Sequence, residues 1–200
     1  MTRLDRMLAL VRRHRPNVRL IDKHRVPWMR ALGIAMRPFM ADFMNSTTVV
    51  LGDHVYLPCP PERLPGDLLA QILAHELVHQ LDQASLGPLF YLSYAGVPLP
   101  MGRTMRAWWE RRAYAVDLML AYEDGGEMGL RHARQRIVRL FAGPSYGWMW
   151  AGRRSADRFL DPVVQEILDG SLQQRSPYSA ILAAWGNPDY TPSEEVAWAR

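Results

Sequence analysis

Residues 75–79 read His75-Glu76-Leu77-Val78-His79, a pattern with few solutions in three dimensions. On an α-helix, with about 3.6 residues per turn, side chains four apart project from one face about 40° from each other. Two imidazoles so placed can grip one metal ion. Glu76 follows the first histidine and points beside the ion, where a base must stand to take a proton from water held there. In the surrounding run Ile72, Leu73, Leu77, Val78 and Leu81 are apolar, and Ala74 and Gln80 are uncharged. The only ionisable groups in the run are the three this chemistry needs.

The flanks predict the helix. Pro65-Gly66-Asp67 is a start signal and Gly87-Pro88 a stop signal. Between them Leu68, Leu69, Ile72, Leu73, Leu77, Leu81 and Leu86 keep a helical apolar period. A buried helix follows, with its His-Glu-His face lining a cavity. A five-residue pattern arises by chance in core helices. The apolar flanks and a third ligand candidate downstream argue against chance here.

The rest of the chain frames this helix. Two hundred residues suit one domain, 1–200, with a real core. One cysteine, Cys59, excludes an internal disulfide framework. No secretory signal and no membrane span is visible, so a cytoplasmic protein is expected. The net charge of +4 is almost wholly arginine, because Lys23 is the only lysine. These arginines are dispersed in pairs such as Arg12-Arg13, Arg111-Arg112 and Arg153-Arg154, which suits solvated helix faces better than a nucleic-acid surface.

Residues 3–14 have the pattern of an amphipathic helix, with Leu4, Met7, Leu8, Leu10 and Val11 on one side and arginines on the other. Arg15-Pro16-Asn17 ends it, and the Met- and Arg-rich stretch from Val18 to Met44 reads as short helices and loops. Thr47–Leu51 and Val55–Leu57 flank Gly52-Asp53-His54, which predicts a hairpin, the only clear strand signal in the chain. His54 reads as a polar turn residue and Cys59, between prolines, as a small buried one. Residues 87–103 read as a connector packed on the core. Helices are expected over about 104–123, with Thr104 as N-cap and Gly125-Gly126 as end, and over about 127–141. An aromatic cluster of Tyr146, Trp148 and Trp150 follows. Asp161-Pro162 reads as the start of a helix through Leu168, Pro177–Trp185 as a short apolar helix, and Thr191-Pro192-Ser193-Glu194 as a capping box for a last one. The fold class is therefore α+β, mostly α, with one small sheet.

A catalytic zinc takes three protein ligands and keeps one position open. A third histidine ligand six residues after His79, with Gly three residues after it, is excluded, because Asp82 and Ser85 hold those positions. Glu110, in Trp108-Trp109-Glu110-Arg111-Arg112-Ala113-Tyr114, ranks first among the candidates. Ala107 and Ala113 on its face let its helix come close to the motif helix. Asp117, seven residues on, shares the face and can bond the free N–H of a histidine instead. His132 stands in a cationic stretch with Arg131, Arg134 and Arg136, a poor place for a dication. The competing role for Glu110 is a surface carboxylate paired with a neighbouring arginine.

At these residues the chain resembles a family. His75-Glu76-Leu77-Val78-His79 followed by Glu110-Arg111-Arg112-Ala113-Tyr114 is similar to a small gluzincin metallopeptidase, in the clan that includes thermolysin. The resemblance spans about residues 47–117 and extends to the strand Val55-Tyr56-Leu57-Pro58, read as an edge strand. It implies a zincin-like fold in which a small sheet packs on the active-site helix and on a second, ligand-bearing helix. It also implies that an extended peptide substrate adds as a strand to the edge of the hairpin at residues 47–57. The chain departs from thermolysin four residues after the glutamate, where thermolysin has Asp and this chain has Tyr114. Asp117 or Asp82 would then take that place. Tyr146, His132 and Tyr114 stay open as the group that steadies the oxyanion.

The sequence thus leads to a zinc-dependent metallopeptidase. His75, His79 and Glu110 are expected to hold Zn²⁺, with Glu76 as general base and a peptide or protein as substrate. No nucleic-acid or membrane partner is expected. The alternative is a zinc-binding scaffold of the same fold that binds another protein without hydrolysis. An intact Glu76 argues against it, since a purely structural ion has no use for a base.

Overall fold

A computed structural model of the chain describes residues 1–38, 40, 42–95, 105–143, 150 and 152–190. It is mostly helical with a three-stranded sheet. In chain order the elements are α1 (Arg3–His14), β1 (Arg19–Asp22), α2 (Pro27–Met36), α3 (Phe43–Ser46), β2 (Val49–Leu51), β3 (His54–Leu57), α4 (Gly66–Leu86), α5 (Pro88–Ala95), α6 (Met105–Phe141), α7 (Arg153–Leu168) and α8 (Tyr178–Gly186). The expected Thr104 cap, the aromatics Tyr146 and Trp148, and the capping box at 191–194 lie outside the described residues.

The motif helix α4 is the centre of the fold. Every residue from Leu73 to Gln80 is buried, so the helix is covered on all sides rather than opening one face onto a cavity. α1 packs on it, as do α6, α5 and β2. α1 presents Met7, Leu10 and Val11, each fully buried, as its apolar spacing requires. Arg6 departs from the expected solvated face. It is buried, and its Nε and Nη2 donate to the carbonyls of Ala184 (2.7 Å) and Trp185 (2.9 Å), the last turn of α8, whose carbonyls have no partner within the helix.

The hairpin forms as expected, with β2 antiparallel to β3 and Val50 opposite Val55. Two features of the sheet correct the sequence reading. β1 adds a third strand, parallel to β3 with Arg19 opposite His54 and Asp22 opposite Leu57, so the order is β1-β3-β2 and β3 is the middle strand, not an edge. The outward side of β2 is also occupied. Gln83 of α4 donates from Nε2 to the Val50 carbonyl (2.9 Å) and accepts the Gly52 amide (2.8 Å), while Gln80 Nε2 donates to the Gly52 carbonyl (3.0 Å). A peptide adding to that edge would meet backbone groups already bonded, so the expected substrate seat along the hairpin is not available at residues 50–52. β1 left no local signal because its partner lies over thirty residues away and contributes half of its pattern. Lys23, just after it, is fully buried and donates from Nζ to the carbonyls of Phe43 and Thr47, tying β1 to the entrance of β2. Burial lowers its pKa to about 8.

Beyond α4 the chain turns at Gly87 (φ 55°) and forms α5, where the sequence suggests a connector. α6 bends at Gly126, whose φ of 57° and ψ of −150° is a conformation essentially reserved for glycine. The expected break at Gly125-Gly126 is therefore present, between two helical limbs. Gly129 sits so near the Ala121 carbonyl that a Cβ there would lie 2.1 Å from its oxygen. α7 starts eight residues before the expected Asp161-Pro162, with Pro162 inside it. Ala156 and Leu160 are fully buried, and packing against α6 outweighs the hydrogen bond that Pro162 forfeits. No helix among the described residues is long and apolar enough to cross a membrane.

Gln83 joins α4 to the sheet through two backbone bonds, so Gln83→Leu leaves the Val50 carbonyl and Gly52 amide without partners. The expected loss is about 1–3 kcal/mol of unfolding free energy. Urea denaturation would show it as a lower midpoint at an unchanged slope. An unchanged midpoint would mean the helix does not clamp the hairpin.

Candidate metal centre

α4 delivers His75, Glu76 and His79 from its middle turns, and all three are buried. α6 delivers Glu110 from its second turn. Ala107 and Ala113 flank Glu110 and are completely buried, so the two helices approach through small side chains as the sequence suggests. Glu110 itself is only 2 % exposed. Neither neighbouring arginine neutralises it. Arg112 forms a two-point bond with Asp82 (2.8 and 3.1 Å), and Arg111 lies over the rings of Trp108 (4.2 Å) and Phe159 (4.5 Å).

The donor atoms converge. Glu110 Oε2 lies 3.8 Å from His75 Nε2 and 3.9 Å from His79 Nε2, and the three ligand atoms all fall within 4.8 Å of one another. A tetrahedral zinc with bonds near 2.0–2.2 Å has ligand–ligand edges of about 3.3 Å. A small inward rotation closes the difference. The hydrogen bonding also fits an ion. Glu110 Oε2 is buried and has no hydrogen-bond partner among the described residues. An orphaned carboxylate oxygen in the core is costly unless something positive meets it. These three residues can hold a metal ion.

The outer contacts orient the first histidine. His75 Nδ1 lies 2.6 Å from Asp117 Oδ2, and an Nδ1–H held there directs Nε2 toward Glu110, the nitrogen that would ligate an ion once its own proton is gone. Gln71 Nε2 donates to the other Asp117 oxygen at 2.7 Å. Asp117 therefore takes the outer position, seven residues after the glutamate. Tyr114, four residues after it, instead sets its ring edge against His75 with centroids 4.7 Å apart. Asp82 is engaged with Arg112 and makes no bond to a histidine. His79 has no equivalent of Asp117, and its Nδ1 is buried without a partner among the described residues.

Close packing of these groups shifts their protonation. Burial pulls the His75 pKa down, but Asp117, with help from Glu76 and Glu110, outweighs it and holds His75 at about 9. Burial raises Glu76 to about 7 against the pull of His75, with Glu110 and Asp117 adding to the rise. Burial lowers His79 to about 4, opposed by Glu110 and assisted by His75, Arg106 and Arg112. These values describe the cluster without an ion. A dication among the ligands requires both imidazoles neutral and favours every carboxylate in its charged form.

The remaining candidates stand elsewhere. His132 lines a surface cavity of about 370 Å³ with Gln71, Asp124 and Arg136, and none of the three converging residues borders that cavity. His54 begins β3 with its ring stacked 6.1 Å from Tyr56, and Cys59 is a half-buried free thiol. Tyr146 lies outside the described residues. Sequence reading missed Tyr94, whose hydroxyl donates to Glu110 Oε1 from α5. No local pattern marks it, because its helix carries apolar residues on both faces, with Leu89 and Leu92 exposed.

Removal of each donor separates ligand from support. Glu110→Ala and the His75→Ala, His79→Ala pair are expected to abolish tight metal binding. Asp117→Asn should weaken it by about 10- to 100-fold, as for an outer hydrogen-bond partner. His132→Ala should leave it unchanged. Competition against a chelator of known affinity measures all four. Undiminished binding in Glu110→Ala would remove that residue from the centre.

No protein-family model matches the chain, and no curated protein and no solved structure matches it, so the reading of this centre rests on its own geometry.

Proposed function

We propose that the chain is a zinc-dependent peptidase of gluzincin type, with His75, His79 and Glu110 as ligands and Glu76 as general base. The observation that carries this reading is the orphaned Glu110 Oε2, buried and facing both Nε2 atoms. Two imidazoles and one carboxylate are a donor set for catalytic zinc, which keeps a fourth position open. Zinc, when bound, supplies Lewis acidity that polarises a carbonyl and brings water near pKa 7.

The protein's own groups supply the proton steps. Glu76, one residue from His75, takes the proton of the attacking water and returns it to the leaving amine nitrogen as the C–N bond breaks. Asp117 keeps the His75 ring in the orientation and tautomer that ligation needs. The buried surroundings of α4 lower the local dielectric, so charge developing on the substrate carbonyl is felt strongly by groups placed there.

One observation favours a second reading, a structural ion in a protein-binding scaffold. All three ligand residues are buried, and Phe90 and Tyr94 cover His79 with ring centroids 6.3 and 5.8 Å away. Glu76 separates the two readings, because a structural ion gives a buried carboxylate beside it nothing to do.

Glu76→Gln keeps the shape and removes the base. Peptide-library turnover by the zinc-loaded protein is expected to fall by about 10² to 10⁴ while zinc content holds at the parent level. Cleavage at the parent rate would remove Glu76 from the reaction. Stoichiometric zinc with no cleavage by the parent would favour the scaffold.

A further inference from the structure

We propose that Tyr94 is a positioning residue for Glu110, holding Oε1 so that the carboxylate meets the ion through Oε2 alone. The inference rests on the metal reading above and extends it to the way the carboxylate ligates. Its basis is the placement of α5. The turn at Gly87 sends α5 against both α4 and α6. Phe90 and Tyr94, four residues apart, share one face, and their rings stack with centroids 5.4 Å apart. α5 is pinned to α6 by the Trp109 Nε1 bond to Ser93 Oγ (3.0 Å) and by Phe90 against Trp109 (5.4 Å). From this fixed position the Tyr94 hydroxyl donates to Glu110 Oε1.

The two oxygens of Glu110 are thereby made unequal. Oε1 has the phenol as donor, while Oε2 has no hydrogen-bond partner among the described residues and faces both imidazoles. A carboxylate beside a dication binds through one oxygen or through both. Engagement of Oε1 by a donor disfavours the two-oxygen mode, because chelation would turn Oε1 away from the phenol. One-oxygen ligation completes a set of three donors and leaves the fourth tetrahedral position open, as hydrolysis needs. It also restricts the rotamers of a side chain that would otherwise lose that freedom on binding.

Cobalt(II) in place of zinc reads this directly, since four-coordinate cobalt absorbs visible light much more strongly than five- or six-coordinate cobalt. Parent, Tyr94→Phe and Ser93→Ala proteins are loaded with cobalt, and their zinc affinities are measured against a chelator. Tyr94→Phe keeps the ring on His79 and removes the hydroxyl that donates to Glu110. Its visible absorption is expected to drop as Oε1 joins the ion, and its zinc affinity to fall by about 10- to 100-fold. Ser93→Ala removes one of the two pins, leaves Phe90 against Trp109 and spares the phenol, so its changes in both should be smaller than those of Tyr94→Phe. Identical spectra and affinities in parent and Tyr94→Phe overturn the proposal, as do equal changes in Ser93→Ala. A parent protein that takes up neither ion overturns the metal reading itself, a result distinct from the first two.

Discussion

Five ionisable side chains, His75, Glu76, His79, Glu110 and Asp117, are buried between α4 and α6. Apolar packing alone would never assemble such a cluster, because each charge removed from water costs several kcal/mol unless it is met. Asp117 is met by His75 and Gln71, and Glu110 Oε1 by Tyr94. Glu110 Oε2 has no hydrogen-bond partner among the described residues and stands 3.8 and 3.9 Å from the two imidazoles, too far to bond either. A cation between the two imidazoles and this oxygen resolves the remaining cost, which is why the cluster reads as a metal centre rather than a satisfied polar core.

The surrounding architecture holds the two helices in register. α4 carries polar residues on its buried sides that bind neighbours instead of water. Asp82 holds Arg112 of α6, Gln83 and Gln80 hold the hairpin, and the Gln80 carbonyl accepts from Arg15 at 2.5 Å. Fully buried leucines, Leu73 and Leu77, fill the space between these contacts. Each polar contact has a defined length and direction, so together they restrict how far α4 can slide or turn. That restriction is what brings Nε2 of two histidines to similar distances from one carboxylate oxygen.

The peptidase and scaffold readings share the ion and differ over Glu76. In both, the outer contacts of His75 and Glu110 preorganise the ligands. The peptidase reading alone makes use of a carboxylate placed beside the centre and of a coordination position that one-oxygen ligation would keep open. In the peptidase reading a substrate would have to pass or displace the Phe90 and Tyr94 rings that lie against His79. Gln80 and Gln83 of α4 already bond the Val50 carbonyl and both backbone groups of Gly52 on the outer side of the hairpin.

The sequence by itself determined the motif helix, its bounds within a residue or so, the hairpin, the break at Gly126 and the rank of Glu110. Each is written in local signals, namely helical period, turn residues, glycine and small side chains at Ala107 and Ala113. It also left Asp117 as a candidate for an outer hydrogen bond, a role that became definite only when α6 laid it 2.6 Å from His75. What the chain could not show locally are partnerships across distance. β1 depends on β3, Arg6 on the end of α8, and α7 on burial against α6 that overrides the proline within it. Tyr94 is the sharpest case. Its helix has apolar residues on both faces, with Leu89 and Leu92 exposed, so no periodic pattern marks the side that meets the centre. Only the fold of α5 onto α4 and α6 decides that this phenol donates to the third ligand candidate.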